Sequence, residues 1–409
     1  MARAAEAIEV IEVIEVIEVI LVVNSGSSSI KFSLYLRQSD PVVKVLMTGS
    51  IEGFASSNSV KIRIQNKTES ISHPVKVNEL TKFEDALGAL NALISQQTNG
   101  MKLVAVAHRI VHGGERYTDS IIVDDVALEY LQTLIPLAPL HQSHNLAGLI
   151  GFAKTYPEVP QIACFDTGFH QDLPERERTL PLNKSLRDQG LRRFGFHGLS
   201  YRFVAARLVE KSPRANERML MAHLGNGASL CASLNGKSHA TTMGFSTLDG
   251  LMMGTRCGAL DPGVVLYLLN QGWDSKKMET TLYQDSGLLG VSGISADMRT
   301  LRASSDESAQ FAIALFTHKV IRECGALIAC VGGIDVLAFT GGIGEHDSVL
   351  RQKTCQALSY LGVQIDELLN EKAIGTEMMA IHTPASLVEV WVVPTDEGSV
   401  ALLDAISLI

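Results

Sequence analysis

Three loops rich in glycine and small polar residues carry the first sign of chemistry in this chain. They read NSGSSSIK at 24–31, HLGNGAS at 223–229 and TGGIGEH at 340–346, and each follows an apolar run. Such a loop can turn backbone N–H groups toward a phosphate, because glycine leaves no Cβ in the path and hydroxyls or a lysine complete the cradle. For the first loop alone, an ordinary serine-rich hairpin explains the residues equally well.

The second loop favours phosphate binding, because Gly225 and Gly227 flank Asn226 where a duplicated first loop would meet the same ligand. Two opposed loops can hold one polyphosphate from both sides. Neither is a P-loop, since the Gly-Lys-Ser at 236–238 lacks the required upstream glycine and is better explained by a hairpin turn. The third loop only weakly resembles a dinucleotide fingerprint and could equally be a glycine turn for close helix packing.

Cationic side chains stand beside small residues at three further places. Arg109 lies in AHRIVHGGE, Arg256 in MGTRCG, and His197 between two glycines in GFHGLS. Phosphoryl transfer needs cations around the migrating group, a metal bridge and an in-line nucleophile, and these residues could supply the cations. The ordinary alternatives are a surface ion pair for each arginine and a satisfied buried group for the histidine.

Two acidic residues follow apolar strand-like runs. Asp166 directly follows QIACF, and Glu397 follows Thr395-Asp396 at a helix start. A carboxylate acceptor is already ionised at neutral pH and needs no general base, so Asp166 is predicted to position the metal, its waters or the acceptor. The alternatives are helix capping for Asp166 and interaction with the helix dipole for Glu397.

The surrounding elements predict an α/β protein made of two related halves. A β-loop-β unit at the first loop is repeated at the second, and apolar residues at helical spacing cover 126–134, 145–154, 201–210 and 308–330. Active sites in such folds collect at the carboxyl ends of strands. That rule singles out Arg109, Asp166 and the glycine-rich stretch 341–345.

Composition bounds the function. The 409 residues suffice for two or three domains, and two are expected. A net charge of -9 argues against non-specific nucleic-acid binding, but leaves a small anionic substrate possible. No apolar run is long enough to span a membrane. No CxxC pair or zinc-type histidine motif occurs, so the cysteines are interpreted as thiols of a reducing, cytoplasmic compartment and zinc is not expected.

The first residues repeat the triplet IEV. Glutamates interrupt every stretch that could form the apolar part of a signal peptide, so that interpretation is rejected. A three-residue period suits neither a strand face nor a helix stripe. The segment is predicted to be a functionless, partly disordered extension that leads into the first strand near Ile20.

Motifs spread along the chain, in order and spacing, resemble the acetate kinase family from about Ile20 to the C-terminus. They are VVNSGSSSIKFSLY, AHRIVHGGE, LAPLH, FDTGFHQDLP, GFHGLSYR, HLGNGASL, GLMMGTRCGALDPG, GVSGISADMR, FTGGIGEH and PTDEGSVALL. The resemblance implies two duplicated actin-like, ribonuclease H-like domains around a nucleotide cleft. It also implies a homodimer and transfer of the ATP γ-phosphoryl group to acetate with Mg²⁺.

The resemblance also implies roles for individual residues. Asp166, His197 and Arg256 would be catalytic, Arg109 would bind the carboxylate, and Val111, Leu140 and Phe196 would line the alkyl pocket. Asn24 and Glu397 would hold Mg²⁺. The ATP contacts would come from the three loops and a further segment, namely Ser27, Ser29, Lys31, His223, Leu224, Gly225, Asn226, Gly227, Asp297, Met298, Arg299, Gly342, Ile343, Gly344, Glu345 and His346.

Some positions depart from the family pattern. Ser246-Thr247-Leu248-Asp249-Gly250 stands where the family commonly has TPLEG, so a proline expected beside the alkyl pocket is lost, and His346 replaces a common asparagine. These changes leave the preferred acyl chain length undetermined, because one methylene group in an apolar pocket changes the binding free energy by only about 1–3 kcal/mol. Propionate or butyrate kinase, or an actin-like ATP-binding module without kinase activity, are the alternatives.

The expected domain organisation has three parts. Residues 1–19 form the extension, 20–168 the N-terminal domain and 169–397 the C-terminal nucleotide-binding domain. The last helix, 398–409, is expected to return to the N-terminal domain.

Overall fold

The computed structural model describes residues 16–26, 29–37, 43–52, 61–66, 70–74 and 83–409. Most of the IEV extension and Ser27 lie outside this part of the chain. The predicted α/β class is confirmed: two mixed sheets, of eight and six strands, are accompanied by helices.

The first sheet has the order β5-β4-β3-β2-β1-β6-β8-β7. Strands β1 to β5 are successively antiparallel, whereas β6 runs parallel to β1 and β8 parallel to β6. The bounds of its strands are β1 Glu18–Ser25, β2 Ser29–Leu36, β3 Lys44–Glu52, β4 Lys61–Asn66, β5 Ser70–Pro74, β6 Lys102–Ile110, β7 Ile121–Ile122 and β8 Gln161–Phe165.

The second sheet has the order β11-β10-β9-β12-β14-β13. Its strands are β9 Arg218–Leu224, β10 Ala228–Leu234, β11 Lys237–Thr241, β12 Val336–Thr340, β13 Met379–Ala380 and β14 Glu389–Val392. Here too an antiparallel β9-β10-β11 unit is followed by strands parallel to the first, β12 and β14. The five neighbouring strands β3-β2-β1-β6-β8 of the first sheet and β11-β10-β9-β12-β14 of the second therefore share one connectivity, which confirms the predicted duplication.

Helices separate the strands, and all four helical segments predicted from apolar spacing are present. They are Asp125–Thr133, Pro139–Thr155, Gly198–Val209 and Glu307–Cys330. The bounds of all helices of the described chain of four residues or more, 3₁₀ turns aside, are α1 Phe83–Gln97, α2 Asp125–Thr133, α3 Pro139–Thr155, α4 Glu175–Arg178, α5 Lys184–Arg187, α6 Gly198–Val209, α7 Pro262–Asn270, α8 Ser275–Gln284, α9 Gly287–Ser292, α10 Met298–Arg302, α11 Glu307–Cys330, α12 Gly341–His346, α13 Ser348–Ala357, α14 Glu367–Lys372 and α15 Glu397–Leu408.

Two helices tie the sheets together. The C-terminal helix α15 buries Val400, Leu402 and Ala405 against Ile20 and Ala107 of the first sheet. Helix α6 packs its Val204 and Leu208 against the second sheet, while its Leu199 belongs to the cluster under α15. The chain thus returns from the second sheet to the first at its end, while the boundaries at 168 and 397 stay predictions.

Local sequence explains two features of the strands. The turn between β10 and β11 is the predicted hairpin, because Asn235 and Gly236 have φ of 53° and 73°, and adjacent residues of positive φ match the twist of a two-residue β-hairpin. Strand β1 begins at Glu18, two residues before the expected start, since Glu18 forms ion pairs with Arg37 and Lys102. No helix in the described residues is both long and apolar enough to cross a bilayer.

Candidate active site

Three neighbouring parallel strands of the first sheet end at one edge, and each presents a predicted site residue there. Val23 of β1 pairs with His108 of β6, and Arg109 of β6 pairs with Cys164 of β8. Asn24, Arg109 and Asp166 therefore follow one another across the sheet edge. Parallel strands place their carboxyl ends together, which is why residues far apart in the sequence meet here.

Arg109 is held between two carboxylates. Its Nε donates to both oxygens of Asp166, at 3.0 and 3.1 Å, and its Nη2 lies 2.6 Å from Asp166 Oδ2. Its Nη1 lies 3.1 Å from Glu397 Oε2 at the first turn of α15. Burial acts to lower the pKa of Arg109, but Asp166 and Glu397 outweigh it and raise that pKa.

Asp166 is 1% exposed, so its charge is tolerable only because Arg109 neutralises it. Burial raises the pKa of Asp166, and the guanidinium of Arg109 opposes that rise. The carboxylate fixes the arginine in one orientation by a bidentate contact. In the structure, Asp166 acts directly on Arg109, which the sequence did not reveal.

The second sheet presents histidines on the other side of the cleft. His223 at the end of β9 pairs in register with Thr340 of β12. Its ring stacks on His197, with centroids 4.3 Å apart, and its Nδ1 hydrogen-bonds to Ser200 Oγ at 2.8 Å. His197 has φ of 60°, a left-handed conformation at the start of α6, which turns its side chain toward Ser229 Oγ at 2.8 Å.

Arg256 and His197 converge on Gly227 in the loop after β9. A Cβ added at Gly227 would lie 2.9 Å from Arg256 Nη2 and 3.2 Å from His197 Nε2. Glycine at this position leaves room for the guanidinium and the imidazole to approach the loop. Arg256 is fixed by donation from Nη1 to the carbonyl oxygen of Thr247 at 2.7 Å.

Charges from both sheets act on one another across the cleft. Burial, then His223, Arg109 and Arg256, hold the pKa of His197 well below its ordinary value. Burial lowers the pKa of Arg256 to about 10, and Arg109 contributes to that shift. These mutual effects indicate that Arg109, Arg256 and His197 lie near one another in the cleft.

His141 joins the same group, although its sequence context gave no reason to select it. Burial, Arg256 and Arg109, in that order, lower its pKa to about 3. Its Nδ1 is buried and has no hydrogen-bond partner in the described part of the chain. In the sequence, His141 is notable only for His144 three residues later, and such a spacing is common. Its neighbours Arg256 and Arg109 come close to it only in the folded chain.

Two of the three predicted alkyl-pocket residues lie in one apolar cluster. Val111 and Phe196 are 6% and 1% exposed and pack in the same core as Phe194 and Leu251. Leu140 is in the first turn of α3, and its side chain lies outside the described residues.

A cavity of about 970 Å³ opens beside this point, and eight of the sixteen predicted ATP contacts line it. It is bounded by the loop after β9, by α10 and by the start of α12. Its lining comprises Gly225, Asn226, Ala296, Asp297, Met298, Arg299, Arg302, Ala303, Gly342, Ile343, His346, Asp347, Ser348 and Val349.

Other predicted ATP residues do not line this cavity. Leu224 is fully buried in the core, and Gly344 is buried inside α12. Lys31 is exposed on β2, in register with Asn24. Ser29 begins β2 and its carbonyl oxygen accepts a hydrogen bond from the Gly26 N–H. These first-loop residues lie on the side of Asn24, across the cleft from the cavity.

Glu345 turns away from the cavity and joins two loops. Its Oε1 accepts from the backbone N–H of Gly341 at 2.9 Å and of Thr395 at 3.1 Å. Thr395 precedes Glu397 closely, and its hydroxyl bonds to Ser200, which also holds His223. Glu345 therefore links the third loop to the segment that carries Glu397.

Two arginines that support the cavity were missed from the sequence. Arg302 makes a bidentate ion pair with Asp347, at 2.9 to 3.1 Å. Arg351 is fully buried and donates to the carbonyl oxygens of Gly344 and Glu345 at 2.9 and 2.8 Å. An arginine inside an amphipathic helix usually faces water, so sequence spacing alone could not select Arg351.

This duplicated fold with a cationic cleft defines a two-domain phosphotransferase. The model of the acetokinase family matches residues 19–402. An acetate kinase of Rhodopseudomonas palustris is 46% identical over 382 residues, covering 92% of this chain and 95% of the relative. The chain therefore belongs to the acetokinase family.

Solved structures agree with this assignment. An acetate kinase of Porphyromonas gingivalis superposes with a TM-score of 0.83 at 33% identity, covering 96% of this chain and 99% of the other. A propionate kinase of Francisella tularensis gives a TM-score of 0.86 at 33% identity, covering 96% and 100%. The expected pair of actin-like domains is confirmed.

Proposed function

We propose that this protein transfers the γ-phosphoryl group of ATP reversibly to acetate, giving acetyl phosphate and ADP. The observation that carries the proposal is the meeting of Arg109, His197 and Arg256 beside the large cavity. The acetate kinase relatives support acetate as the acceptor.

In this mechanism the two walls of the cleft, formed by the strand ends of the first and of the second sheet, have different roles. Arg109, fixed by Asp166, binds the carboxylate of the acceptor, and the apolar cluster at Val111 and Phe196 receives its methyl group. One oxygen of the acceptor attacks the γ-phosphorus in line, and the bond to the ADP oxygen breaks. Arg256 and His197 stabilise the charge on the migrating group, which is the main demand of phosphoryl transfer.

We propose that Asn24 and Glu397 hold Mg²⁺. Mg²⁺ prefers oxygen ligands and is commonly bound by one or two carboxylates together with substrate phosphates. Asn24 follows Val23, the partner of His108 next to Arg109, and Glu397 contacts that arginine, so both residues lie at the same edge of the sheet. No cluster of three or more His, Cys, Asp or Glu suited to a metal occurs in the described residues, in keeping with a cation held largely by phosphates. The metal would neutralise and orient the phosphates.

The reaction is tested by incubating purified protein with Mg-ATP, acetate and hydroxylamine. We expect acyl hydroxamate to form in step with ADP. ADP release without hydroxamate would reduce the protein to an ATPase or ATP-binding module, and the proposal would be withdrawn.

Propionate is the alternative acceptor, because the Francisella propionate kinase structure is as similar as that of the acetate kinase. Thr247, which stands where the family commonly has proline, supports Arg256 through its carbonyl oxygen. Specificity constants for acetate, propionate and butyrate decide between them. We expect acetate to have the highest value, and a larger value for propionate would reassign the substrate.

We further propose that the protein is a cytoplasmic homodimer that pairs through α7. This helix has no buried residues, and Leu266 and Tyr267 are each 62% exposed. Contiguous exposed apolar residues commonly mark an interface. Light scattering should give twice the mass of one chain for the wild-type protein and the mass of a single chain for Leu266→Asp. The control Leu368→Asp, which changes an exposed leucine on α14, should keep the dimer mass. A monomeric wild-type protein would refute this arrangement.

A further inference from the structure

A second cationic cavity lies outside the catalytic cleft. It has a volume of about 90 Å³ and is bounded by the loop at Gly114 and Glu115, by Gln171, and by Arg178 and Arg192. A space of this size holds several waters, and therefore also one tetrahedral oxyanion. None of these residues belongs to the proposed catalytic set.

The two arginines bring excess positive charge to this cavity. Burial and the charge of Arg178 are the leading causes that lower the pKa of Arg192, so the two guanidinium groups lie close enough to repel each other. Arg192 has one ion-pair partner, Glu115, at 2.9 Å. Arg178 donates to the backbone carbonyl of Gln171 and, within the described chain, makes no ion pair.

Both arginines also retain buried donors. The Nε–H groups of Arg178 and Arg192 are shielded from solvent and have no acceptor among the described residues. Leaving a charged donor unsatisfied is costly, and a planar guanidinium matches the oxygen geometry of a phosphate group. This unmet hydrogen-bonding capacity, on two arginines that line one cavity, favours an anionic ligand.

A larger, outer cavity of about 390 Å³ borders the same two arginines, Arg178 and Arg192, and is also lined by Arg187. A phosphate group in the inner cavity would leave room outside for the rest of a small molecule. Glu175 and Arg187 both border this outer space, so its charge is mixed. The inner cavity provides the more selective contact.

We propose that Arg178 and Arg192 form a second anion-binding site, distinct from the catalytic cleft, that takes a phosphate group. The site adjoins the wall of the acyl pocket, because Arg192 stacks over Phe194 at 5.0 Å and Phe194 contacts His112 beside Val111. The proposal does not depend on the proposed reaction.

Crystals soaked in selenate locate the site directly, since selenium gives an anomalous signal. We expect a peak between Arg178 and Arg192 in the wild-type protein and its absence in Arg178→Gln/Arg192→Gln. The matched control, Arg176→Gln/Arg322→Gln, removes the same charge from two arginines that do not line the cavity, and should keep the peak. A wild-type crystal without this peak would overturn the proposal.

Calorimetry on the Arg256→Ala variant, in which the catalytic cleft is weakened, measures the site in solution. Inorganic phosphate and glycerol 3-phosphate serve as probes for a free and an organic phosphate. Adding Arg178→Gln/Arg192→Gln should weaken binding of the preferred probe at least about tenfold, a loss of about 1.4 kcal/mol. Equal weakening by Arg176→Gln/Arg322→Gln, or no binding of either probe, would show that no such site exists. Unchanged circular dichroism spectra exclude misfolding as the cause.

Discussion

The arginines on the two walls of the cleft have opposite electrostatic surroundings. On the first sheet, Arg109 is clamped by Asp166 and Glu397, and its pKa is raised. On the second, Arg256 contacts the Thr247 carbonyl and, in the part of the chain described, no carboxylate lies within ion-pair distance. Burial lowers the pKa of Arg256 to about 10.

This difference separates positioning from charge stabilisation. A guanidinium with two carboxylates adds little net charge but has a fixed orientation, which suits the binding of an acceptor. A guanidinium without a counter-charge is held ready for negative charge that develops during transfer. The first wall therefore orients, and the second wall stabilises.

The largest effect is expected for Arg256→Ala. Removing the uncompensated cation should lower kcat by about 10³-fold or more, as loss of a transition-state cation does in other phosphoryl transfers. Steady-state kinetics with Arg256→Lys as the control measures how much depends on charge alone. A kcat for Arg256→Ala within tenfold of the wild type would assign the stabilising role elsewhere.

Asp166→Asn tests the orienting wall. The amide keeps the shape but loses the charge that fixes Arg109, and a misplaced acceptor costs about 10²-fold in kcat. The matched control is Asp335→Asn, which breaks a similar bidentate pair with Arg218 on the second sheet, at the strand ends opposite the cleft. If both variants lose activity equally, the effect is one of stability and not of orientation.

Low pKa values keep the buried histidines neutral near pH 7, which leaves the arginines as the cations of the cleft. Burial lowers the pKa to about 4 for His108, His112, His170 and His223. The unfolded chain, with ordinary values near 6.5, binds more protons below that pH, so stability is present above about pH 6.5 and is lost as pH falls toward 4.

Each such histidine should add about 1.4 kcal/mol per pH unit to the slope within that window. Asp166 opposes this loss, since burial raises its pKa, but it is a single group. Urea denaturation at several pH values between 7 and 4.5 measures the slope. A constant free energy of unfolding over that range would contradict the buried, neutral state of these rings.

The smallest effect is expected for Glu345→Ala, which removes the link between the walls. Thr395 and Gly341 lose their shared acceptor, so Glu397 is placed less well. Loss of such an outer contact to a metal-binding segment typically costs about tenfold, and the Mg²⁺ concentration for half-maximal activity should rise accordingly. Glu345→Gln keeps an acceptor oxygen and should restore most of the affinity. A change in KM for acetate alone would contradict this role.

Much of the frame could be predicted from the sequence. The repeated β-loop-β unit is visible because both copies keep glycine and small polar residues between apolar strands. The edge position of Arg109 and Asp166 follows from the rule on strand ends. The four long helices follow from apolar spacing, which local sequence encodes directly.

Contacts between distant residues could not be predicted in this way. Three contacts depend on how the strand ends meet in the folded chain. They are the ion pairs of Arg109 with Asp166 and Glu397, the stacking of His197 on His223, and the position of His141 near Arg256. Glu345 illustrates the limit, since its loop bounds the cavity while its carboxylate points toward Thr395. Such directions are set by tertiary packing, which short motifs do not contain.

A double-mutant cycle on Arg109→Lys and Arg256→Lys tests most directly whether the two walls act at one point. Each single variant and the double variant are compared by kcat with Mg-ATP and acetate. Residues that share a network usually couple by about 0.5–3 kcal/mol, so two arginines that act at one point should give non-additive losses of at least about 1 kcal/mol. Losses that add within about 0.5 kcal/mol would show that the arginines work independently, and the convergence would be wrong.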